Sequence, residues 1–157
     1  MEASSVYIIT SKTKALMVAD SNYYQTKILD MDQERYTIDP ALVILKRSCL
    51  RFGSTLSGRK RAASLLLRTN SMLPIAIHPN FGLYMFPTSS EKNTQCVWFS
   101  YYAISTYDQN DKHTIVHFRD GTLLEIPITW RIFDNQYKKT SHVIANMIRD
   151  SFNLPFL

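Results

Sequence analysis

Glycine and cysteine are both scarce in this sequence, which has four glycines and two cysteines among its 157 residues. So few glycines argue against a Gly-rich or repetitive architecture. The two cysteines, Cys49 and Cys96, cannot supply the disulfide framework of a small secreted protein. The sequence also lacks an N-terminal hydrophobic signal and any apolar run long enough to span a bilayer. We therefore expect a cytoplasmic protein with reduced thiols and no membrane association.

The bulk composition is that of an ordinary globular protein, with 45% hydrophobic and 20% charged residues. A chain of this length is most simply one domain that buries its own core, so we predict a single domain over residues 1–157. Nine tyrosines, eight phenylalanines and two tryptophans favour β-strands and half-buried surfaces.

Carboxylates are absent from residues 40–90, although this segment carries seven cations. The cations are Lys46, Arg47, Arg51, Arg59, Lys60, Arg61 and Arg68. Outside the segment eleven cations face all thirteen acids, so the net charge of +5 originates here. Unopposed positive charge repels itself unless solvent or a polyanion meets it. A solvated helix face is the ordinary explanation of such a run, but the complete lack of acids favours nucleic acid as the partner.

We call residues 46–61 the basic segment. Small residues lie between its cations. They are Ser48, Gly53, Ser54, Ser57 and Gly58. Such residues let backbone N–H groups approach an anion closely, which suits contact with phosphate.

The first half of the chain predicts an antiparallel meander followed by a helix. Residues 6–10 and 15–19 are typical of a hairpin, and further strands are predicted over residues 23–29 and 35–38. Asp39 is the expected N-cap of a helix, with Pro40 at its first position. An apolar stripe then follows at helical spacing, comprising Leu42, Leu45, Cys49 and Phe52. Gly53 is expected to end this helix in a left-handed conformation.

The second half predicts more antiparallel strands and a final helix. Residues 59–67 fit a helical turn or a strand equally well on periodicity. Hairpins are predicted for 74–78 with 83–87 and for 112–119 with 122–128, a long aromatic strand for 96–107, and an amphipathic helix from 129 to about 152. The predicted fold class is α+β, with antiparallel sheet, a central short basic helix and a C-terminal amphipathic helix.

Patterns for cofactors and catalysis are weak. The stretch from Gly53 to Gly58 has the glycine spacing of a P-loop, but Arg59 and Lys60 replace the Lys and Ser/Thr that hold phosphate and Mg²⁺. His113 and His117 would lie about 13 Å apart on a strand, too far for one zinc ion. The acids cluster in turns, and no serine has the Gly-x-Ser-x-Gly context. We predict no cofactor, no metal and no enzymatic activity.

Three co-linear blocks of residues resemble the ComK family of competence transcription factors. The first contains Arg47-Ser48-Cys49, Phe52-Gly53-Ser54 and Gly58-Arg59-Lys60. The second contains Pro74-Ile75, Pro79, Phe86-Pro87-Thr88, Gln95-Cys96, Trp98 and Ser100. The third contains Leu124, Ile126-Pro127-Ile128, Phe133 and Asn135-Gln136. The resemblance covers residues 42–137, and it departs from the family at Lys46, where an acid is common.

The resemblance implies a DNA-binding activator of competence genes, which act in DNA uptake by Gram-positive bacteria. It implies binding to AT-rich boxes mainly through the minor groove, assembly into dimers and tetramers, a nucleoid-associated location and control by a proteolysis adaptor. The narrow minor groove of A-tracts attracts inserted arginine. Clustered arginines with small neighbours suit that groove better than bulky apolar wedges would. The chain ends short of the C-terminal extension of longer members, which leaves full activator function open.

The predicted DNA-binding residues come mainly from the basic segment. They are Arg47, Arg51, Ser57, Gly58, Arg59, Lys60 and Arg61, with Lys138 and Lys139 as a secondary prediction. The alternative function is a protein-interaction module that docks an acidic partner, such as a proteolysis adaptor, through the same segment. Affinity for AT-rich over GC-rich duplex would separate the two.

Overall fold

A computed structural model describes the backbone of residues 6–153 and the side chains of residues 6–149. Its strands are β1 (Thr13–Val18), β2 (Thr26–Asp30), β3 (Glu34–Thr37), β4 (Ile75–His78), β5 (Leu83–Pro87), β6 (Trp98–Ser100), β7 (Ile104–Asn110), β8 (His113–Phe118) and β9 (Leu123–Ile126). Its helices are α1 (Ala41–Arg51), α2 (Leu56–Leu67) and α3 (Trp130–Asn153). None of these three helices combines the length and apolarity that crossing a membrane requires.

The strands form two antiparallel sheets. The main sheet has six strands in the order β3-β2-β1-β6-β5-β4, and the small sheet has three in the order β7-β8-β9. The α+β prediction is therefore confirmed. Both predicted hairpins of the second half are also present, as β4–β5 and β8–β9.

Both faces of the main sheet are covered, and this explains why its central strands are almost continuously apolar. Successive side chains of a strand point to opposite faces. Leu16 of β1 and Met85 of β5 accordingly pack in the cluster that contains Leu45 of α1. Their neighbours on the other face, such as Phe86, pack with the small sheet and with Phe133 of α3. Helix α2 packs against β4, α1 and α3.

Residues 6–10 form no strand, so the predicted first hairpin is wrong. Both edges of β1 are occupied, by β2 and by β6. The N-terminal segment instead bonds to α1: the Ile9 N–H donates to Ser48 Oγ at 2.9 Å, and Arg47 donates to the Tyr7 carbonyl at 3.1 Å. Its polar backbone groups are thus paired by side chains rather than by a neighbouring strand.

The predicted long strand over residues 96–107 is also divided. A 3₁₀ turn at Tyr101–Ala103 separates β6 from β7 and carries the chain from the main sheet to the small sheet. The two sheets are joined again by a partly buried ion pair, in which Lys14 Nζ of β1 lies 2.8 Å from the Asp120 carboxylate in the β8–β9 turn. Thr122 accepts a second hydrogen bond from the same ammonium group at 2.9 Å.

Candidate nucleic-acid interface

The basic segment folds into two helices joined by a four-residue connection. Helix α1 ends in a Schellman motif, because Ser54 N–H donates to Cys49 O at 2.9 Å and Gly53 N–H donates to Leu50 O at 3.2 Å. Gly53 has φ +88°, which a residue with a Cβ adopts only at a cost. The predicted helix end at Gly53 is confirmed.

The start of α1 differs from the prediction. Pro40 is the N-cap with an extended backbone, and no side chain caps the helix. Asp39 does not cap it because its carboxylate pairs with Arg47, eight residues along the chain, at 2.8 Å. The predicted N-cap at Asp39 is therefore wrong.

The periodicity of residues 59–67 left helix and strand open, and the structure has the helix α2. Thr55 caps it, since its Oγ1 accepts a hydrogen bond from Gly58 N–H at 3.0 Å. A Cβ on residue 58 would lie 2.8 Å from the same Oγ1. Glycine at this position therefore makes room for the cap, and its N–H already has a partner within the chain. The P-loop-like glycine spacing is thus a helix end followed by a capped helix start.

The outward face of α2 carries Ser57, Arg61 and Leu65 at spacings of four residues, and all three are exposed. Arg51 is exposed on the last turn of α1. Arg51 and Arg61 have no ion pair among the described residues. These two arginines and Ser57 therefore present polar groups to solvent around the α1–α2 connection.

Two cations of the basic segment have partners inside the protein. Arg47 binds the Asp39 carboxylate and the Tyr7 carbonyl, and Lys60 Nζ lies 2.7 Å from Glu91. Asp39 and Glu91 are the acids that directly flank the acid-free residues 40–90. The lack of acids along the sequence is thus partly compensated in space. Lys46, Arg51, Arg59, Arg61 and Arg68 remain without an ion pair in the described region.

Arg59 points inward rather than along the outer face of α2. Its Nε is buried without a hydrogen-bond partner, and the side chain lines a cavity of about 150 Å³ with Ala63 and Val143. Burial raises the pKa of the Cys49 thiol, while a hydrogen bond with Ser54 and the Arg59 guanidinium act in the opposite direction. Arg59 therefore faces the cavity between α2, β4 and α3 rather than solvent.

The two predicted lysines of α3 lie away from the start of α2. Lys138 Nζ pairs with Asp134, one helical turn earlier, at 2.9 Å. Lys139 Nζ donates to the Ser71 carbonyl at 3.3 Å, and burial lowers the pKa of its ammonium group. Because Ser71 follows the C-terminal end of α2, a 12-residue helix about 18 Å long, Lys139 lies near the end opposite to the N-terminus of α2.

A row of three aromatic rings, which begins at Phe52 in the basic segment, was not predicted from the sequence. The Phe52 ring lies 4.6 Å from the His78 ring, which lies 4.3 Å from the Phe81 ring, measured between centroids. Phe81 sits at the tip of the β4–β5 hairpin and is 74% exposed. The only available signal was a large apolar residue inside the predicted turn Pro79 to Gly82.

The family model described as ComK protein matches residues 4–151. A curated relative, the competence transcription factor of Bacillus subtilis (strain 168), is 32% identical over 117 residues. That alignment covers 74% of this chain and 61% of the relative, so the chain spans about three fifths of the relative's length. No solved structure matches the chain significantly.

Proposed function

This chain belongs to the ComK family, and we propose that it is a transcription factor of the ComK type that binds AT-rich double-stranded DNA and activates competence genes. It acts as a single DNA-binding domain in the nucleoid, as a dimer or tetramer, without a cofactor. A proteolysis adaptor is a further partner under this proposal.

One observation carries the proposal. The α1–α2 unit presents Arg51 and Arg61 to solvent with no ion pair among the described residues, inside a segment that contains no acid. Guanidinium groups with free donors suit phosphate and the narrow minor groove of A-tracts. The exposed Ser57 hydroxyl adds a neutral donor at the start of α2.

The remaining predicted residues take different parts in this proposal. Lys60 reaches a phosphate only by leaving Glu91, Arg47 holds the N-terminal segment and Asp39 against α1, and Arg59 is turned inward. Gly58 preserves the cap of α2. Under this proposal Lys138 and Lys139 contact only a duplex that extends beyond the C-terminal end of α2.

The test is a pair of arginine variants measured by fluorescence anisotropy on labelled AT-rich and GC-rich duplexes. Arg51→Ala with Arg61→Ala should weaken binding and make the salt dependence shallower. If the four exposed and unpaired cations of residues 40–90 (Lys46, Arg51, Arg61 and Arg68) meet phosphates, the parent slope of log K against log salt should be about −3 to −4, and the double variant should lose about 2 of this. Arg131→Ala, an exposed arginine of α3, serves as the matched control.

The same assay distinguishes minor-groove from major-groove binding, and DNA binding from docking of an acidic protein. A minor-groove-binding drug such as netropsin should displace the protein, whereas a major-groove contact would survive it. A module that docks an acidic protein would show neither affinity for duplex nor a preference for AT-rich sequence. Equal affinities of the parent and the double arginine variant would show that the α1–α2 unit is not the DNA interface.

A further inference from the structure

The tip of the β4–β5 hairpin presents one aromatic ring, that of Phe81, to solvent. Phe81 closes the 3₁₀ turn Pro79–Phe81 and is 74% exposed, the largest exposed fraction among the described large apolar residues. Exposed apolar surface is unfavourable in water. An exposed ring at a hairpin tip is therefore a candidate for contact with another molecule.

The tip is held firmly by the residues around it. Gly82 has φ +71°, and its N–H donates to the Pro79 carbonyl at 3.1 Å. A Cβ on residue 82 would lie 3.4 Å from the Tyr102 ring, so Tyr102 packs directly against the turn. On its other side Phe81 rests on His78, which rests on Phe52. The ring thus projects from a supported base rather than from a loose loop.

The surroundings of the tip are cationic. Phe52 follows Arg51 directly and lies in the connection that leads to α2. On the opposite side, the exposed Arg119 donates from Nε to the Tyr102 carbonyl at 2.7 Å. Asp120, the acid next to Arg119 in the sequence, is bound to Lys14. Phe81 therefore lies beside the basic segment, to which it is connected through the rings of His78 and Phe52.

We propose that Phe81 is a wedge that inserts between base pairs of the bound duplex and kinks it. This inference rests on the proposed function. Apolar wedges of this kind enter the minor groove, partly unstack one base step and bend the duplex toward the major groove. Flexible pyrimidine–purine steps such as TA, which AT-rich sequence supplies, are the least costly to unstack.

A protein partner fits the tip less well. The exposed apolar surface at the tip is one ring and part of Tyr102, which is smaller than a stable protein interface requires. The cations beside it also favour a polyanion. The sequence favoured arginines over apolar wedges for the groove; under this inference the arginines of α1 and α2 position the duplex and Phe81 deforms it.

The experiment uses the full chain with AT-rich duplexes that carry 2-aminopurine in place of one adenine, and with duplexes labelled at both ends for energy transfer. The parent should raise 2-aminopurine fluorescence several-fold at one or two steps and shorten the end-to-end distance. Phe81→Ala should abolish both signals and weaken binding about tenfold, while the salt slope stays unchanged because no cation is lost. Phe81→Leu should retain most of both signals, since leucine also acts as a wedge.

The control variant is Tyr23→Ala, which removes another exposed aromatic ring, 70% exposed, outside the basic segment. It should behave as the parent. If Phe81→Ala binds, unstacks and bends the duplex as the parent does, the wedge is wrong and the proposed function still stands. If the parent itself binds no duplex, the proposed function and the wedge fail together. If Phe81→Ala instead changes only the oligomeric state in sedimentation, the ring is a contact between copies and the wedge is overturned.

Discussion

Replacing Glu91 with glutamine should make this protein bind AT-rich DNA more tightly. Lys60 Nζ lies 2.7 Å from the Glu91 carboxylate, and about a third of each side chain is exposed. The pair therefore stands at the surface, beside the start of α2. Glutamine keeps the size of the side chain but removes the charge, so it would free Lys60 to meet a phosphate.

The magnitude follows from the geometry of this one pair. An ion pair this open contributes at most about 1 kcal/mol to stability, so the variant should unfold at nearly the urea concentration of the parent. One additional phosphate contact makes the slope of log K against log salt more negative by about 0.9. At about 0.1 M salt this corresponds to roughly eightfold tighter binding, if the two affinities converge near 1 M salt.

The assay is fluorescence anisotropy of a labelled AT-rich duplex between about 0.05 and 0.2 M salt, the range over which counterion release dominates the affinity. Asp32→Asn is the matched control, because it changes the net charge equally and frees Lys12 from an exposed pair outside the basic segment. Its salt slope should stay close to that of the parent. Equal slopes for Glu91→Gln and Asp32→Asn would refute the assignment of Lys60 to the interface.

Two further predictions concern stability. Arg47→Ala should lower the free energy of unfolding by about 1 to 2 kcal/mol, because it removes an ion pair and a hydrogen bond to the N-terminal segment. Arg51→Ala, at an exposed position, should change the free energy of unfolding by less than about 0.5 kcal/mol. Urea unfolding at constant m-value measures both variants, and equal losses would contradict the structural role of Arg47. The second concerns Asp120, where burial raises the pKa but hydrogen bonds from Lys14 and Thr122 outweigh it and bring the pKa to about 2. Because this pKa is depressed on folding, the stabilisation is present above pH 4 and is lost as pH falls toward 2. Across that range the free energy of unfolding of the parent should fall by about 1 kcal/mol more than that of Asp120→Asn, after allowance for solvent screening. Parallel pH profiles of the two proteins would contradict this prediction.

The parts of the fold that the sequence predicted correctly are those decided by local chemistry. The hairpin at Asp120-Gly121 and the helix end at Gly53 depend on backbone conformations that glycine adopts without strain, and both glycines have φ +88°. The strand break at Tyr101–Ala103 depends instead on where the small sheet packs. Aromatic residues lie within that break and on both sides of it, so local propensity gave no signal for it.

The candidate site was predicted as one continuous segment of the sequence. In the folded protein some of its cations are paired or buried and others are exposed. No pattern in residues 40–90 indicates that Asp39 and Glu91 pair with Arg47 and Lys60. The same applies to Arg59, whose side chain faces the cavity between α2, β4 and α3. Sequence charge alone therefore overstates how many cations are available to a ligand.

The helical geometry of α1 explains why this division was unavoidable. Successive residues of a helix are rotated by about 100°, so Arg47, Ser48 and Cys49 point in three different directions. Cys49 is fully buried, Ser48 accepts a hydrogen bond from the Ile9 N–H, and Arg47 forms an ion pair with Asp39. This triplet, through which the chain resembles its family, therefore organises the N-terminal segment around α1. Substitutions within it should change the stability of the fold first, whereas substitutions at outward positions such as Arg61 should change the salt dependence of binding and leave stability intact.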